Sequence, residues 1–505
     1  MSNFEDSDSR VQSSIFEKLK EVGRHTVIYG MGSALQAVVG FILIPIYTKY
    51  YTPEIYGVLA LLLLCASLAA ACFFLGGSSS LSRSYYDYPD PAARKKAIGV
   101  SLAITSAGAG AQILFAVLLC GLLSKWLFGT PHYAPHVLIV LCTSALAFTN
   151  ALFYLLLKFA RKSTQVVAIN IISLVLGIAL ILYFLVVLNL GIWAPILGEF
   201  LNQCFLCGFL FWLTRDQLEI NWHRPELIAQ LKYGLPTMLA GLAFYLLTWA
   251  DRLLLKHYTN FAEVGIYSLG YRLGTSIYIL FIIPFGQIWA PMRMQYRNET
   301  DAHRLYTSVL TYYFMIGLTI AALIGTFSRE LLLMLARRPE YLPAARVIAL
   351  VMLAHLLYGS VNIIDSGIVF SRRTILHVYI FGSCIPINLL LNVLLIPRYG
   401  ALGAAWAALA TFALLVVIVF VISNHLFRVE VEFSRLVRLF LAASAVLLTS
   451  QLLPTPGLAT FICKSGLMLG MLVFIFAAVL SSHERAHLSR LSENLKRRLG
   501  KRQLG

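Results

Sequence analysis

ALGAAWAALATFALLVVIVFVIS, residues Ala401 to Ser423, holds 23 residues without a charge and is apolar on every face of a helix. At 1.5 Å per residue it reaches about 35 Å, enough to cross a hydrocarbon core of roughly 30 Å. A barrel strand would show about ten residues of alternating polarity instead. Runs of this kind recur along the 505 residues, of which 59% are hydrophobic and 12% charged. Soluble domains carry about a quarter charged residues, so the solvent of this chain is lipid. The expected fold is an all-α integral membrane protein of about 14 transmembrane helices, the first at 25–48 and the last at 458–480.

The first two dozen residues are polar and lack the positive n-region and short apolar core of a signal peptide, so the first span is expected to stay. All eight cysteines lie in apolar runs, where a thiol acts as a small hydrophobe. Cys204 and Cys207 form a C-x-x-C inside a span with no neighbouring thiol pair, which reads as packing. No residue set suggests catalysis, a bound metal or another cofactor.

The formal charge of +17 orients the chain when counted by loop. With both termini cytoplasmic, 29 of the 40 Lys and Arg fall in inner segments, 8 in outer segments and their flanks, and 3 (Arg252, Arg272 and Lys464) within spans. That bias accounts for the basic balance as a topology signal with attraction to anionic membrane lipids, and nucleic-acid binding is not expected. The cell (inner, cytoplasmic) membrane is the expected location.

The loop KYYTPEIYG (Lys49 to Gly57) recurs as KHYTNFAEVG (Lys256 to Gly265). Arg83 and Arg293, Arg94 and Arg304, Arg161 and Arg372, and Gly191 and Gly400 follow in the same order. The offsets of 207, 210, 210, 211 and 209 predict a duplicated six-helix bundle. An even number of spans between equivalent points makes the repeat parallel, and such transporters carry substrate between the halves. The expected organisation is a cytoplasmic tail (1–24), an N-lobe (25–213), an amphipathic cytoplasmic linker (214–233), a C-lobe (234–424), a helix pair (425–480) and a basic tail (481–505). In the linker, Trp222, Leu227, Ile228 and Leu231 can share an apolar face.

SSSLSRSYYDYPDPAARKKAIGVSL (Ser78 to Leu102), IPIYTKYYTPEIYGVLAL, ADRLLLKHYTNFAEVGIYSLGYRL (Ala250 to Leu273) and NLLLNVLLIPRYGALGAAWAAL (Asn388 to Leu409) resemble polysaccharide-biosynthesis flippases. These belong to the multidrug, oligosaccharidyl-lipid and polysaccharide exporter superfamily. The resemblance covers roughly residues 20–425. It implies two lobes around a central cavity lined by spans one, two, seven and eight, with alternating access to each side. It further implies a polyprenyl (undecaprenyl) diphosphate-linked saccharide as substrate, moved from the cytoplasmic to the outer leaflet. A polysaccharide polymerase or export machinery would take the product.

Such a substrate asks for polar groups inside the membrane, where ionisable residues are costly. Thr237, Gly241, Tyr245, Thr248 and Arg252 form one stripe on span seven. Asp251 is expected to pair with Arg252 or Arg272, and the surplus guanidinium to bind diphosphate. Arg83 and Arg293, equivalent under the repeat, close spans two and eight and are candidates for diphosphate capture. Glu199 in span six and Asp365 in span ten are candidates for coupling to a proton or sodium gradient or the membrane potential, or for structural pairing.

A membrane glycosyltransferase or polymerase would need acids or metal ligands in a large outer loop, and the longest here, about Ser328 to Leu342, has Glu330 and Glu340 without His or Asp. A multidrug exporter is the nearer alternative. A peptidoglycan-precursor exporter is another, although span one lacks an extended basic region. The charge count makes a direct prediction. A fluorescent reporter fused after Gly505 should fold in the cytoplasm, and a phosphatase inserted at Glu340 should be active outside; the reverse pattern overturns the orientation.

Overall fold

The computed structural model describes residues 41–88, 90–218, 223–297, 302–371, 373, 375–453, 457–480, 484 and 485. Among them no strand occurs, and thirteen helices are long and apolar enough to cross a membrane. The chain is an all-α, multi-pass membrane protein. Most of the first expected span lies outside the described residues, which begin with helical residues 41–50, here α1.

The chain divides into two compact units. The first takes residues 1–269, 336–341 and 377–411. It contains α1, α2 (Pro53–Phe73), α3 (Gly77–Asp87), α4 (Pro91–Phe128), α5 (Ala134–Phe159), α6 (Ser163–Leu182), α7 (Trp193–Thr214) and α8 (Arg224–Tyr258). It also holds most of α9 (Phe261–Gly274) and α15 (Ile375–Tyr399), and the first part of α16 (Ala401–Leu426). The second unit contains α10 (Ile283–Gln295), α11 (Ala302–Thr326), α12 (Ser328–Leu335), α13 (Ala345–Ile364), α14 (Ser366–Phe370), α17 (Phe433–Leu452) and α18 (Leu458–Phe474).

Short polar residues start these helices. Thr52 precedes Pro53, whose missing N–H costs nothing in a first turn. Asp90 Oδ2 accepts from the Ala93 N–H at 3.3 Å, and Asn260 Oδ1 from the Glu263 N–H at 2.9 Å, each satisfying a donor that the helix leaves open. Glu263 then caps a second helix, its Oε2 accepting from the Ala401 N–H at 3.0 Å. Its negative charge therefore meets the positive end of α16. The equivalent loop in the first half, with Pro53 and Glu54, opens α2 instead.

The helices of the first unit approach closely where glycines meet. A Cβ on Gly57 would stand 1.9 Å from the Phe261 carbonyl oxygen, and one on Gly265 the same distance from that of Pro53. These two glycines are equivalent in the sequence repeat, so α2 and α9 cross backbone to backbone at matching positions. Gly76, with φ +72°, meets Gly234 in the same way, a Cβ there falling 2.3 Å from the Gly234 Cα. Membrane helices associate without a hydrophobic drive between them, and small residues make such approaches possible.

Two buried pairs repeat the pattern in different residues. Asn202 Nδ2 lies 3.1 Å from where a Cβ on Gly177 would be, and Asn388 Nδ2 donates to Thr411 Oγ1 at 3.0 Å. Gly177 and Asn388 are 211 residues apart, Asn202 and Thr411 209, the offsets found among the sequence landmarks. The polar group that fills the contact comes from one helix in the first half and from both in the second.

One expectation changes. Helix α8 begins at Arg224, ten residues before the span start expected at 234, so the second part of the 214–233 linker is continuous with the membrane helix. Its buried face carries the polar Glu226 and Gln230 and then Gly234, while Ile228 and Leu239 are exposed. Trp222, assigned to an apolar face, lies outside the described residues. Pro225 at the first turn and the His223 Nδ1 acceptor for the Glu226 N–H, 3.4 Å away, start the helix there.

Gly57→Leu should cost roughly 1–3 kcal/mol or more through backbone overlap, read as a lower midpoint of thermal unfolding in detergent. Gly110→Ala, where nothing lies within 4 Å, should leave it unmoved. Equal midpoints would contradict the crossing.

Candidate functional site

In α8 the stripe seen in the sequence ends in a buried charge cluster. Asp251 is 4% exposed and Arg252 2%. Asp251 Oδ1 accepts from the Arg252 backbone N–H at 2.8 Å and from Arg252 Nη1 at 3.1 Å, and Oδ2 accepts from the Tyr267 hydroxyl of α9. Arg252 Nη1 also donates to the Thr248 carbonyl at 3.1 Å. The guanidinium lies over the Trp249 ring at 4.3 Å and the Tyr267 ring at 5.3 Å. Ion pairing, a backbone carbonyl and two aromatic faces together replace the water that a buried guanidinium loses. Of the two partners expected for Asp251, the adjacent Arg252 is bonded to it, and Tyr267 is a further partner that spacing along one helix does not reveal. Thr248 is buried and donates to the Tyr245 carbonyl at 3.4 Å; Tyr245 and Arg272 are half-buried.

Arg83 is exposed, with its guanidinium 4.9 Å from the Tyr233 ring. Beside it, a buried polar network ties α4 and the end of α3 to α8. The Tyr88 hydroxyl donates to Glu226 Oε2 at 2.5 Å, and Gln230 Nε2 donates to Glu226 Oε1 at 2.8 Å and to the Ala97 carbonyl at 3.0 Å. The Ser101 hydroxyl donates to Gln230 Oε1 at 2.6 Å. Glu226 and Gln230 are one turn apart, so both face α4. Neither residue stands out in the sequence.

Glu199 of α7 accepts from Gln203 Nε2 at 2.7 Å, and Asn150 of α5 donates to Gln203 Oε1 at 2.8 Å. These groups line a cavity of about 320 Å³ in the first unit, shared with Asn170, Ser173 and Asn202. Polar groups from α5, α6 and α7 thus converge at membrane depth around a single acid.

In the second unit the structure joins two residues that the sequence treats separately. Arg293 Nη1 donates to Asp365 Oδ1 at 2.8 Å and to the Asn362 carbonyl at 2.9 Å. Trp289 Nε1 donates to the same carbonyl at 3.1 Å, and the Tyr306 hydroxyl to the Arg293 carbonyl at 2.6 Å. The Asp365 carboxylate stands at the break between α13 and α14. A group of three or more metal-ligating side chains does not occur among the described residues.

A further pair escaped the sequence reading. Lys464 of α18, 4% exposed, donates to both carboxylate oxygens of Glu330 on α12, at 2.7 and 2.8 Å. Lys464 had stood as a lone cation within a span, and 134 residues separate it from its partner.

A family model described as "Polysaccharide biosynthesis protein" matches residues 22–297. No curated protein matches the sequence. Among solved structures, "Lipid II flippase MurJ, inward closed conformation" is similar with a TM-score of 0.73 and 14% identity, covering 89% of this chain and 98% of that one. An inward-facing multidrug resistance MATE family transporter of the MOP superfamily follows at 0.61 and 15%, covering 77% and 94%. A mutant of the Vibrio cholerae MATE transporter VcmN has 0.58 and 15%, with 81% and 97% covered. At these identities the likeness is one of fold, the multi-helix architecture of that superfamily.

Removing one partner of the Lys464–Glu330 pair strands a charge in an apolar setting, at a cost of about 3–5 kcal/mol. Lys464→Met should therefore lower thermal stability in detergent, and Lys464→Met with Glu330→Leu should recover most of the loss. A double variant as unstable as the single one would count against the pairing.

Proposed function

Since the chain belongs to the polysaccharide biosynthesis protein family, we propose that it is a flippase of lipid-linked oligosaccharide. Its substrate is a polyprenyl diphosphate-linked saccharide, carried from the cytoplasmic to the outer leaflet of the cell membrane by alternating access. The observation that carries this reading is the buried Asp251–Arg252–Tyr267 cluster in the membrane part of α8, within a chain of that family. A guanidinium kept at this depth by one carboxylate and two rings is a prepared counter-charge for a diphosphate, which planar Arg binds bidentately. Tyr245 and Thr248, along the same stripe, offer hydroxyls for sugar.

Arg83 and Arg272 are the further candidates for contact with the diphosphate. Arg293 reaches that role by exchanging Asp365 for a phosphate oxygen, so the carboxylate holds the place of the anion until substrate arrives. The network from Tyr88 to Ser101 ties α3 and α4 to α8 on the side that the charge count assigns to the cytoplasm, and it supports a closed entrance there. Glu199, facing a polar cavity, is a candidate for coupling transport to a proton or sodium gradient. A polysaccharide polymerase on the outer face would consume what is delivered.

Leaflet-resolved labelling of lipid-linked saccharide in cells depleted of the protein tests the reading. Depletion should leave the saccharide on the cytoplasmic leaflet, and Arg252→Gln, at matched membrane abundance, should restore outer-leaflet label at least about tenfold less than the wild type, equal to roughly 1.4 kcal/mol of lost transition-state binding. Unchanged leaflet distribution on depletion, especially with loss of drug efflux, would sink the flippase reading in favour of a multidrug exporter.

A further inference from the structure

A further buried ionisable group sits in the second unit. His355 of α13 is 7% exposed and lies within a membrane-crossing segment. The span opposite it changes its winding part-way, while the Thr275 N–H still donates to the Tyr271 carbonyl at 2.8 Å. Helix α9 ends at Gly274, Thr275 forms a turn, and Tyr278–Ile282 wind as a π-helix before α10 begins. Irregular backbone at membrane depth is tolerated where it is buried in protein or lines a polar cavity, and single π turns are frequent at functional sites.

Both parts of this irregular stretch touch the imidazole. Thr275 Oγ1 lies 3.2 Å from His355 Nε2, and the Thr275 hydroxyl donates to the Tyr271 carbonyl at 2.8 Å. With its one hydrogen spent on that carbonyl, Thr275 Oγ1 accepts, so His355 Nε2 carries the hydrogen and Nδ1 is the basic nitrogen. The Tyr271 and Tyr278 rings each stand 5.5 Å from the imidazole, and Phe412 of α16 6.5 Å. Phenols stand beside the site from three elements: Tyr271 and Tyr278 from the span opposite, Tyr358 from α13 itself, and Tyr313 of α11, whose hydroxyl donates to the Leu356 carbonyl at 2.9 Å. Arg272 adjoins Tyr271 in sequence.

A Cβ on Gly270 or Gly274 would lie 2.8 or 2.7 Å from the Cβ of Val347 or Val351, so these glycines of α9 seat the valine side chains of α13.

We propose that His355 is a proton-binding site that drives transport, taking a proton on Nδ1 when it faces the outer side and releasing it to the cytoplasm as the irregular stretch of the α9–α10 span rearranges. The proposal rests on the flippase reading for its cargo, and it makes the exchange one of proton inward against saccharide outward.

Purified full-length protein in proteoliposomes, with a fluorescent polyprenyl diphosphate-linked oligosaccharide, tests it. An acid-outside gradient of one pH unit should speed outward flipping by up to about tenfold. In His355→Gln the ratio of rates with and without the gradient should fall to one, whatever the basal rate. Thr275→Val, nearly isosteric, should move the pH of half-maximal acceleration by removing the acceptor for Nε2. A wild type that flips but ignores the gradient, or a His355→Gln variant that keeps the acceleration, overturns the proton site and leaves the flippase reading standing. A wild type that flips nothing fails the flippase reading instead. The site is then judged by hydrogen exchange of α13 between pH 5 and 8, the range of imidazole titration: a pH-dependent change lost in His355→Gln upholds it, and identical profiles overturn it.

Discussion

Hydrocarbon offers no hydrogen bonds, so every polar group at membrane depth must be answered by the protein itself. Most of this architecture follows from that constraint. Hydroxyls turn back onto their own helices, as Thr48 does to the Ile44 carbonyl at 2.8 Å and Thr411 to that of Ala407 at 2.7 Å. Carboxylates and cations meet in Asp251–Arg252, Asp365–Arg293 and Glu330–Lys464. Amides bridge helices, as Asn388 does to Thr411. The outward surface is left to side chains such as Leu118, Leu452 and Leu458, which are largely exposed because lipid is their solvent.

The same rule separates resting contacts from working ones. A network such as Tyr88–Glu226–Gln230–Ser101 holds two helices together with bonds worth about 1 kcal/mol each net of competition, so it is firm enough to persist and weak enough to exchange. Glycine crossings complement it. The Gly57–Gly265 and Gly76–Gly234 approaches bring backbones together without interlocking side chains, and such a surface permits rotation where a jigsaw of leucines would resist it. A contact that can be undone needs both: polar bonds to select one packing and smooth backbone to leave it.

The membrane class was open to reading from Ala401 to Ser423 alone, because length and apolarity are properties of one segment. Span ends were less legible. Residues 214–233 read as a cytoplasmic linker, yet Glu226 and Gln230 bond to α4 and the end of α3, and those partners make their burial tolerable. The contact between Asp251 and Arg252 was legible because an ion pair between neighbours needs no knowledge of the fold. Tyr267, Lys464 with Glu330, and Arg293 with Asp365 required tertiary proximity across 16, 134 and 72 residues, which periodicity does not encode. His355 carried no signal in sequence, being one imidazole in an apolar run, and it acquired meaning from the irregular winding opposite.

Lys464 grips Glu330 through both carboxylate oxygens, which makes α18 a dependent of α12 as well as a neighbour. Without α18, Glu330 would lose the cation that answers its charge. The acid is therefore an anchor point: one residue in the body of the protein that fastens, from 134 positions away, the last helix of the described chain.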